Sequence, residues 1–132
     1  MYAERERKKK QVADYAQAID LNPADAMVYN NRGHTYQTLG RYEEALADFA
    51  QAFRLDPAFA MAFYNRGLTY QALGRYENAL ADYAQAIRLN PADAEAYNNR
   101  GITYKDLDRY EEALADFAQA IRIDPAFAMT YN

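Results

Sequence analysis

The chain of 132 residues contains no cysteine and no tryptophan, and it has a single histidine, His34. Without cysteine there are no disulfides, no thiolate nucleophile and no thiolate metal site. One histidine cannot form a metal-binding His cluster, so His34 is read as a polar surface residue, and neither a metal nor a cofactor is expected. No apolar stretch approaches the ~20 residues that span a bilayer, and no signal-peptide core is visible, so a soluble, cytoplasmic chain without membrane contact is expected. Proline and glycine are also sparse, four and five residues. Their few positions carry the most information.

Positive charge is scarce outside the first ten residues. The chain totals −4, yet Arg5, Arg7, Lys8, Lys9 and Lys10 against Glu4 and Glu6 make residues 1–10 locally +3, leaving about −7 for the rest. An acidic body of that kind argues against a phosphate-binding surface and hence against a nucleic-acid partner. The basic run is read as a solvated helix end. Converging titratable groups of the sort catalysis requires are missing too, because the carboxylates recur with the same spacing as everything else. No enzyme is expected.

That spacing is 34. Pro23, Pro57, Pro91 and Pro125 follow it, as do Gly33, Gly67 and Gly101, Tyr36, Tyr70 and Tyr104, and Tyr42, Tyr76 and Tyr110. Residues 26–59 and 60–93 are identical at 24 of 34 positions. Within each copy two amphipathic segments are predicted. First helices cover about 27–39, 61–73 and 95–107; second helices cover about 43–55, 77–89 and 111–123. A glycine inside the first helix costs up to ~1 kcal/mol against alanine, which implies a close helix contact there. Ala45, Ala52, Ala79, Ala86, Ala113 and Ala120 are small enough to admit the partner helix, and Asp-Pro or Asn-Pro ends each second helix. Such hairpins cannot bury both faces alone and must stack.

The first full copy, AMVYNNRGHTYQTLGRYEEALADFAQAFRLDPAF, resembles the tetratricopeptide repeat (TPR) family. The matching places are an aromatic at the fourth, Gly at the eighth, Tyr at the eleventh and Gly at the fifteenth. Ala at the twentieth, an aromatic at the twenty-fourth, Ala at the twenty-seventh and Pro at the thirty-second complete the pattern. The resemblance implies an all-α fold, a right-handed α-solenoid of helix-turn-helix repeats. It departs from the family at Asp108, where Gly40 and Gly74 stand in the other copies, and at Arg32, Arg66 and Arg100.

In this register, residues 1–25 are a half-repeat consisting of a lone second helix with a basic extension. Residues 26–59, 60–93 and 94–127 are full repeats, and 128–132 begin a fourth. A weaker rhythm of 68 residues overlies this, since 11–59 and 79–127 agree at 38 of 49 positions. The bare ends are expected to leave Leu114, Phe117 and Ile121, and Tyr15 or Ile19, uncovered, so that self-association into a homo-oligomer is an alternative function.

With Tyr29, Gly33 and Tyr36 facing the partner helix, the other side of the first helices carries Met27, Asn30, Asn31, His34 and Gln37. Its later counterparts are Met61, Tyr64, Asn65, Leu68 and Gln71, then Asn98, Asn99 and Lys105. The resemblance implies that these residues line a concave groove holding an extended protein or peptide partner. Asn31, Asn65 and Asn99 resemble the asparagine ladders that hold peptide backbone in TPR superhelices, since each amide can match an N–H and a C=O. The alternative is that each asparagine braces the neighbouring helix. A carboxylate clamp for acidic peptides is disfavoured, because Asn30, Met61 and Glu95 stand where its cations belong. Ion pairs are expected between repeats, Asp14–Arg32, Asp48–Arg66 and Asp82–Arg100, with Asp116 left over. Tyr42, Tyr76 and Tyr110 are expected in the core.

Overall fold

The structure, a computed structural model, describes residues 2–130. Seven α-helices follow one another: α1 (Tyr2–Leu21), α2 (Ala26–Thr38), α3 (Tyr42–Leu55), α4 (Ala60–Ala72), α5 (Tyr76–Leu89), α6 (Ala94–Asp106) and α7 (Tyr110–Ile123). A 3₁₀ turn, Pro125–Thr130, packs on α7. There is no strand among the described residues. The helices pair as hairpins, α2 with α3, α4 with α5 and α6 with α7, and each hairpin stacks on the one before it, with α1 covering α2. This is an all-α solenoid.

Each boundary has a local cause. The first helices end in a left-handed residue, Gly40 at φ 78°, Gly74 at φ 74° and Asp108 at φ 60°. There the amide of the following arginine reaches back to the helix, as in Arg41 N–H to the Tyr36 carbonyl at 2.9 Å. Asp108 supports this conformation without glycine, and its carboxylate accepts from the Tyr110 hydroxyl at 2.8 Å. The second helices stop at Asp56, Asn90 and Asp124, all extended before proline. Each of these side chains accepts the amide two residues on, which closes the turn (Ala58 N–H to Asp56 at 3.1 Å). Asp25 and Asp93 then cap α2 and α6, whereas Phe59, at the same place before α4, supplies no side-chain cap.

Between the two helices of a hairpin lies a seam of small residues. Ala45, Ala52, Ala79, Ala86, Ala113 and Ala120 are all buried. A Cβ added to Gly33 would stand 2.7 Å from the Phe49 ring, and one on Gly67 or Gly101 would stand 2.6 Å from Tyr83 or Phe117. The helical glycines are therefore the sockets into which the second-helix aromatics fit. Phe49 and Tyr83 are fully buried.

The ion pairs differ from expectation. Arg32, Arg66 and Arg100 bind Asp48, Asp82 and Asp116 of their own hairpin through paired N–H···O bonds of 2.7–2.8 Å. The pairings Asp14–Arg32, Asp48–Arg66 and Asp82–Arg100 do not form, Asp116 is not left over, and Asp14 instead meets Lys10 at 3.2 Å. In an antiparallel hairpin, residues equidistant from the turn lie side by side. Arg32 and Asp48 are each eight residues from Gly40. These pairs are also not surface pairs, because the aspartates are buried and each arginine lies against aromatic rings. Arg66 stands 4.6 Å from the Phe53 ring centre and 5.5 Å from that of Tyr70. Burial pushes the Asp82 carboxyl above its usual range by more than Arg66 pulls it back, while the hydrogen bonds to Asp82 hold the Arg66 guanidinium above its own.

Two further expectations are corrected. Tyr42 and Tyr76 are half-buried but Tyr110 is 57% exposed, since no later hairpin covers it among the described residues. At the ends, Leu114 is 68% exposed, whereas Phe117, Ile121, Tyr15 and Ile19 are half-buried. α1 runs through the basic extension, where Glu4 pairs with Arg7 and Lys8 and Glu6 with Lys9.

Candidate peptide-binding surface on the first helices

The first helices α2, α4 and α6 carry the candidate residues, and their side chains divide into two sets. Met27, His34, Met61 and Lys105 are exposed. Asn31, Tyr64, Leu68, Gln37, Gln71, Asn98 and Asn99 are half-buried, and Asn30 and Asn65 are buried. Gly33, Gly67 and Gly101 mark the face turned to the second helices, with Tyr29 and Tyr36 half-buried beside Arg32. Thr35, Thr69 and Thr103 are buried on another side and donate to the carbonyls of Asn31, Asn65 and Asn99. Asn30 is thereby turned away from solvent and into the contact with the next hairpin, where it is 1% exposed.

That contact contains a repeating polar link. The Asn65 side-chain amide donates to the Asn30 Oδ1 at 3.1 Å, and one repeat later the Asn99 amide donates to the Tyr64 hydroxyl at 2.9 Å. Both links span 35 residues, one repeat plus one position. A buried amide without a partner costs ~1–3 kcal/mol, so these bonds hold neighbouring first helices in register. The next acceptor in the series, Asn98 Oδ1, is buried and has no hydrogen-bond partner among the described residues.

A second link runs within the hairpin. The Tyr83 hydroxyl donates to Gln71 Oε1 at 2.6 Å. In the preceding repeat the same places hold Phe49 and Gln37, and Gln37 Oε1 is buried without a donor. Asn65 and Asn99 thus brace the neighbouring first helix, one of the two roles the sequence leaves open for them. The Tyr83–Gln71 bond is not among the sequence expectations, although Phe49 and Tyr83 alternate opposite Gln37 and Gln71, with Lys105 at that place in the third copy.

Tyr64 joins these features to an open cleft of about 340 Å³ lined by Ala60, Met61, Tyr64, Asn65, Asn90, Asp93 and Glu95. Its hydroxyl donates to Glu95 Oε2 at 3.2 Å while accepting from Asn99. Burial, reinforced by the nearby Glu95 and Asp93 charges, pushes the Tyr64 phenol well above its ordinary range. Burial does the same to Tyr83. Among the described residues no group of three His, Cys, Asp or Glu could hold a metal ion. No helix there is long and apolar enough to cross a membrane.

Stacked helical hairpins of 34 residues, packed through glycine sockets and joined by side-chain amides, define a helical-repeat solenoid. Profiles for the TPR repeat match residues 38–74 and 72–108, and profiles for the tetratricopeptide repeat match 94–127 and 15–47. The chain belongs to the tetratricopeptide repeat family. No curated protein matches it in sequence. Among solved structures it is similar to MamA at 24% identity, TM-score 0.84, covering 91% of this chain and 70% of that one. It is also similar to the Arabidopsis OM64 TPR domain at 27% identity, TM-score 0.75, covering 76% and 84%. A third is the first TPR of Spaghetti (RPAP3) bound to the HSP90 peptide SRMEEVD, at 29% identity and TM-score 0.74, covering 76% and 79%.

Proposed function

We propose that the chain is a protein-interaction scaffold, without catalytic activity, that holds an extended polypeptide segment along the first helices. The 26–59, 60–93 and 94–127 repeats each present one helix to the ligand, the 1–25 half-repeat precedes them, and 128–132 begins a fourth. The carrying observation is that Met27, His34, Met61 and Lys105 stay exposed on successive first helices while the seam and the register links use other positions. The RPAP3 domain, bound to an HSP90 peptide, is a precedent for a TPR array that takes a peptide.

Met27, Met61, Tyr64 and Leu68 supply adaptable apolar contacts, with His34, Gln37, Gln71, Asn98 and Lys105 as polar neighbours. The Asn65 and Asn99 amides already serve the helix stack, so Asn31 is the ladder residue with a side chain most available to backbone. Asn30, Met61 and Glu95 give no cation for a carboxylate clamp, which favours neutral or basic segments over acidic ones. The acidic body likewise favours a protein partner over nucleic acid.

The test is a display library of unstructured peptides, with hits mapped by amide chemical shifts. Shifts confined to 27–38, 61–72 and 95–106, together with weaker binding by Met61→Glu and Asn31→Ala, are expected. Hits that map to the second helices instead would refute the proposal. A second reading, self-association, is favoured by the exposed Leu114 on α7 and the unpartnered Asn98 Oδ1. It requires scattering mass to rise with concentration and Leu114→Lys to abolish the rise.

A further inference from the structure

We infer that the cleft between α4 and the start of α6 is a subsite for one basic side chain, lysine or arginine, of the bound segment. The inference deepens the peptide-groove reading and rests on it for its biological role. The argument begins with shape and lining. The cleft is lined by Tyr64, Ala60 and Met61, which is 58% exposed, together with Asp93, Glu95, Asn90 and the buried Asn65. A long aliphatic stem ending in a cation needs this combination, with an apolar wall for the methylenes and acceptors at the mouth for the charge. The Tyr64 face adds attraction for a guanidinium or ammonium group.

Both carboxylates keep an open oxygen. Asp93 uses Oδ1 to cap α6, accepting from Ala96 N–H at 3.1 Å, and Glu95 uses Oε2 for the Tyr64 hydroxyl at 3.2 Å. Neither forms an ion pair among the described residues, unlike Asp48, Asp82 and Asp116, which their arginines neutralise. Two negative charges therefore face a half-enclosed space where water screens them less than on an open surface. An acidic side chain would be repelled from the same place.

The preceding junction is different in kind. At the places of Asp93 and Glu95 it carries Phe59 and Met61, and at that of Tyr64 it carries the buried Asn30. The change from LDPAF to LNPAD thus places two carboxylates at the α4–α6 junction, where α2–α4 has an aromatic ring and a methionine. The bound segment would accordingly set its basic side chain against α4–α6.

The experiment uses N-acetylarginine methylamide and N-acetylnorleucine methylamide as probes, titrated into the ¹⁵N-labelled full chain. The arginine probe is expected to shift the amides of Met61, Tyr64, Asp93 and Glu95 saturably, and the neutral probe is not. Asp93→Asn/Glu95→Gln keeps the cap and the Tyr64 hydrogen bond while removing both charges, and it should weaken the arginine probe about tenfold. Equal shifts by both probes, shifts scattered over the acidic surface, no shifts, or binding unchanged in the double variant would each overturn the inference. The probes report on the cleft without any peptide, so failure of the peptide library alone would leave this result standing. Conversely, hits elsewhere in the groove with an unresponsive cleft would remove the subsite alone.

Discussion

Replacing Phe49 with tyrosine should stabilise the protein, because it supplies the hydrogen bond that repeat one lacks. In repeat two the Tyr83 hydroxyl reaches Gln71 Oε1 at 2.6 Å; in repeat one Gln37 Oε1 is buried without a donor. The two rings sit alike in their sockets, since a Cβ on Gly33 or Gly67 would meet the same ring edge at 2.7 and 2.6 Å. The new hydroxyl is therefore expected to fall on Gln37 as the existing one falls on Gln71. An unsatisfied buried acceptor costs ~1–3 kcal/mol, and desolvating the added hydroxyl takes back part of the relief, leaving a net gain of about 1 kcal/mol. With a urea dependence of about 2 kcal/mol per molar, the midpoint should rise by about 0.5 M. Stability in a stacked array is nearest-neighbour, so slowed amide exchange should centre on α2 and α3. The decisive control is Gln37→Leu. If Phe49→Tyr stabilises as much in that background, the gain does not come from this hydrogen bond; if it does not stabilise the parent chain, the orphaned acceptor has been misread.

Gly67→Ala should destabilise by about 1–2 kcal/mol, because overpacking against the immobile Tyr83 ring outweighs the ~1 kcal/mol helix-propensity gain. A rise in the urea midpoint would show that the socket is slack. Arg66→Ala leaves the buried Asp82 carboxylate unpaired and should cost about 3 kcal/mol, with Arg66→Leu/Asp82→Leu recovering most of it. The folded Asp82 carboxyl lies above its ordinary range, so its ionisation opposes folding. The single-variant deficit should therefore shrink as pH falls through that raised value, and a deficit that grows on acidification would contradict the burial argument. Tyr64 and Tyr83 also ionise above their ordinary pKa of 10 in the folded chain. Their contribution is complete below that pH and is lost as pH rises beyond it, so melting temperature should drop above about pH 10. If all thirteen tyrosines titrate in one wave while helicity persists, the two phenols are not buried as described.

The legible part of this protein is the part that local chemistry controls. Helix ends were readable because proline forbids helix in the residue before it and because Gly40 and Gly74 reach a positive φ that most side chains resist. The glycine sockets followed from the cost of glycine inside a helix, and Asp108 could be placed in the left-handed region from its alignment with two glycines. Pairing across helices was harder. The recurrence of Arg32 and Asp48 marked them as partners in kind, but which copy meets which depends on hairpin geometry, and only the equidistance from Gly40 decides it. A single helical wheel has two sides and places Asn30 on the groove. Its burial comes from a third direction, the next repeat.

The 34-residue unit, its two helices and the family are legible without coordinates, since each rests on interactions within a few residues of one another or on the recurrence of the same residues at a fixed spacing. What the amides and charges do depends on how the hairpins pack. Asn65 and Asn99 tie helices that lie a full repeat apart, and Tyr64, Asp93 and Glu95 converge on one cleft from two different repeats. Small offsets in how one hairpin rests on the next settle those distances, and no periodicity within the chain encodes an offset between copies.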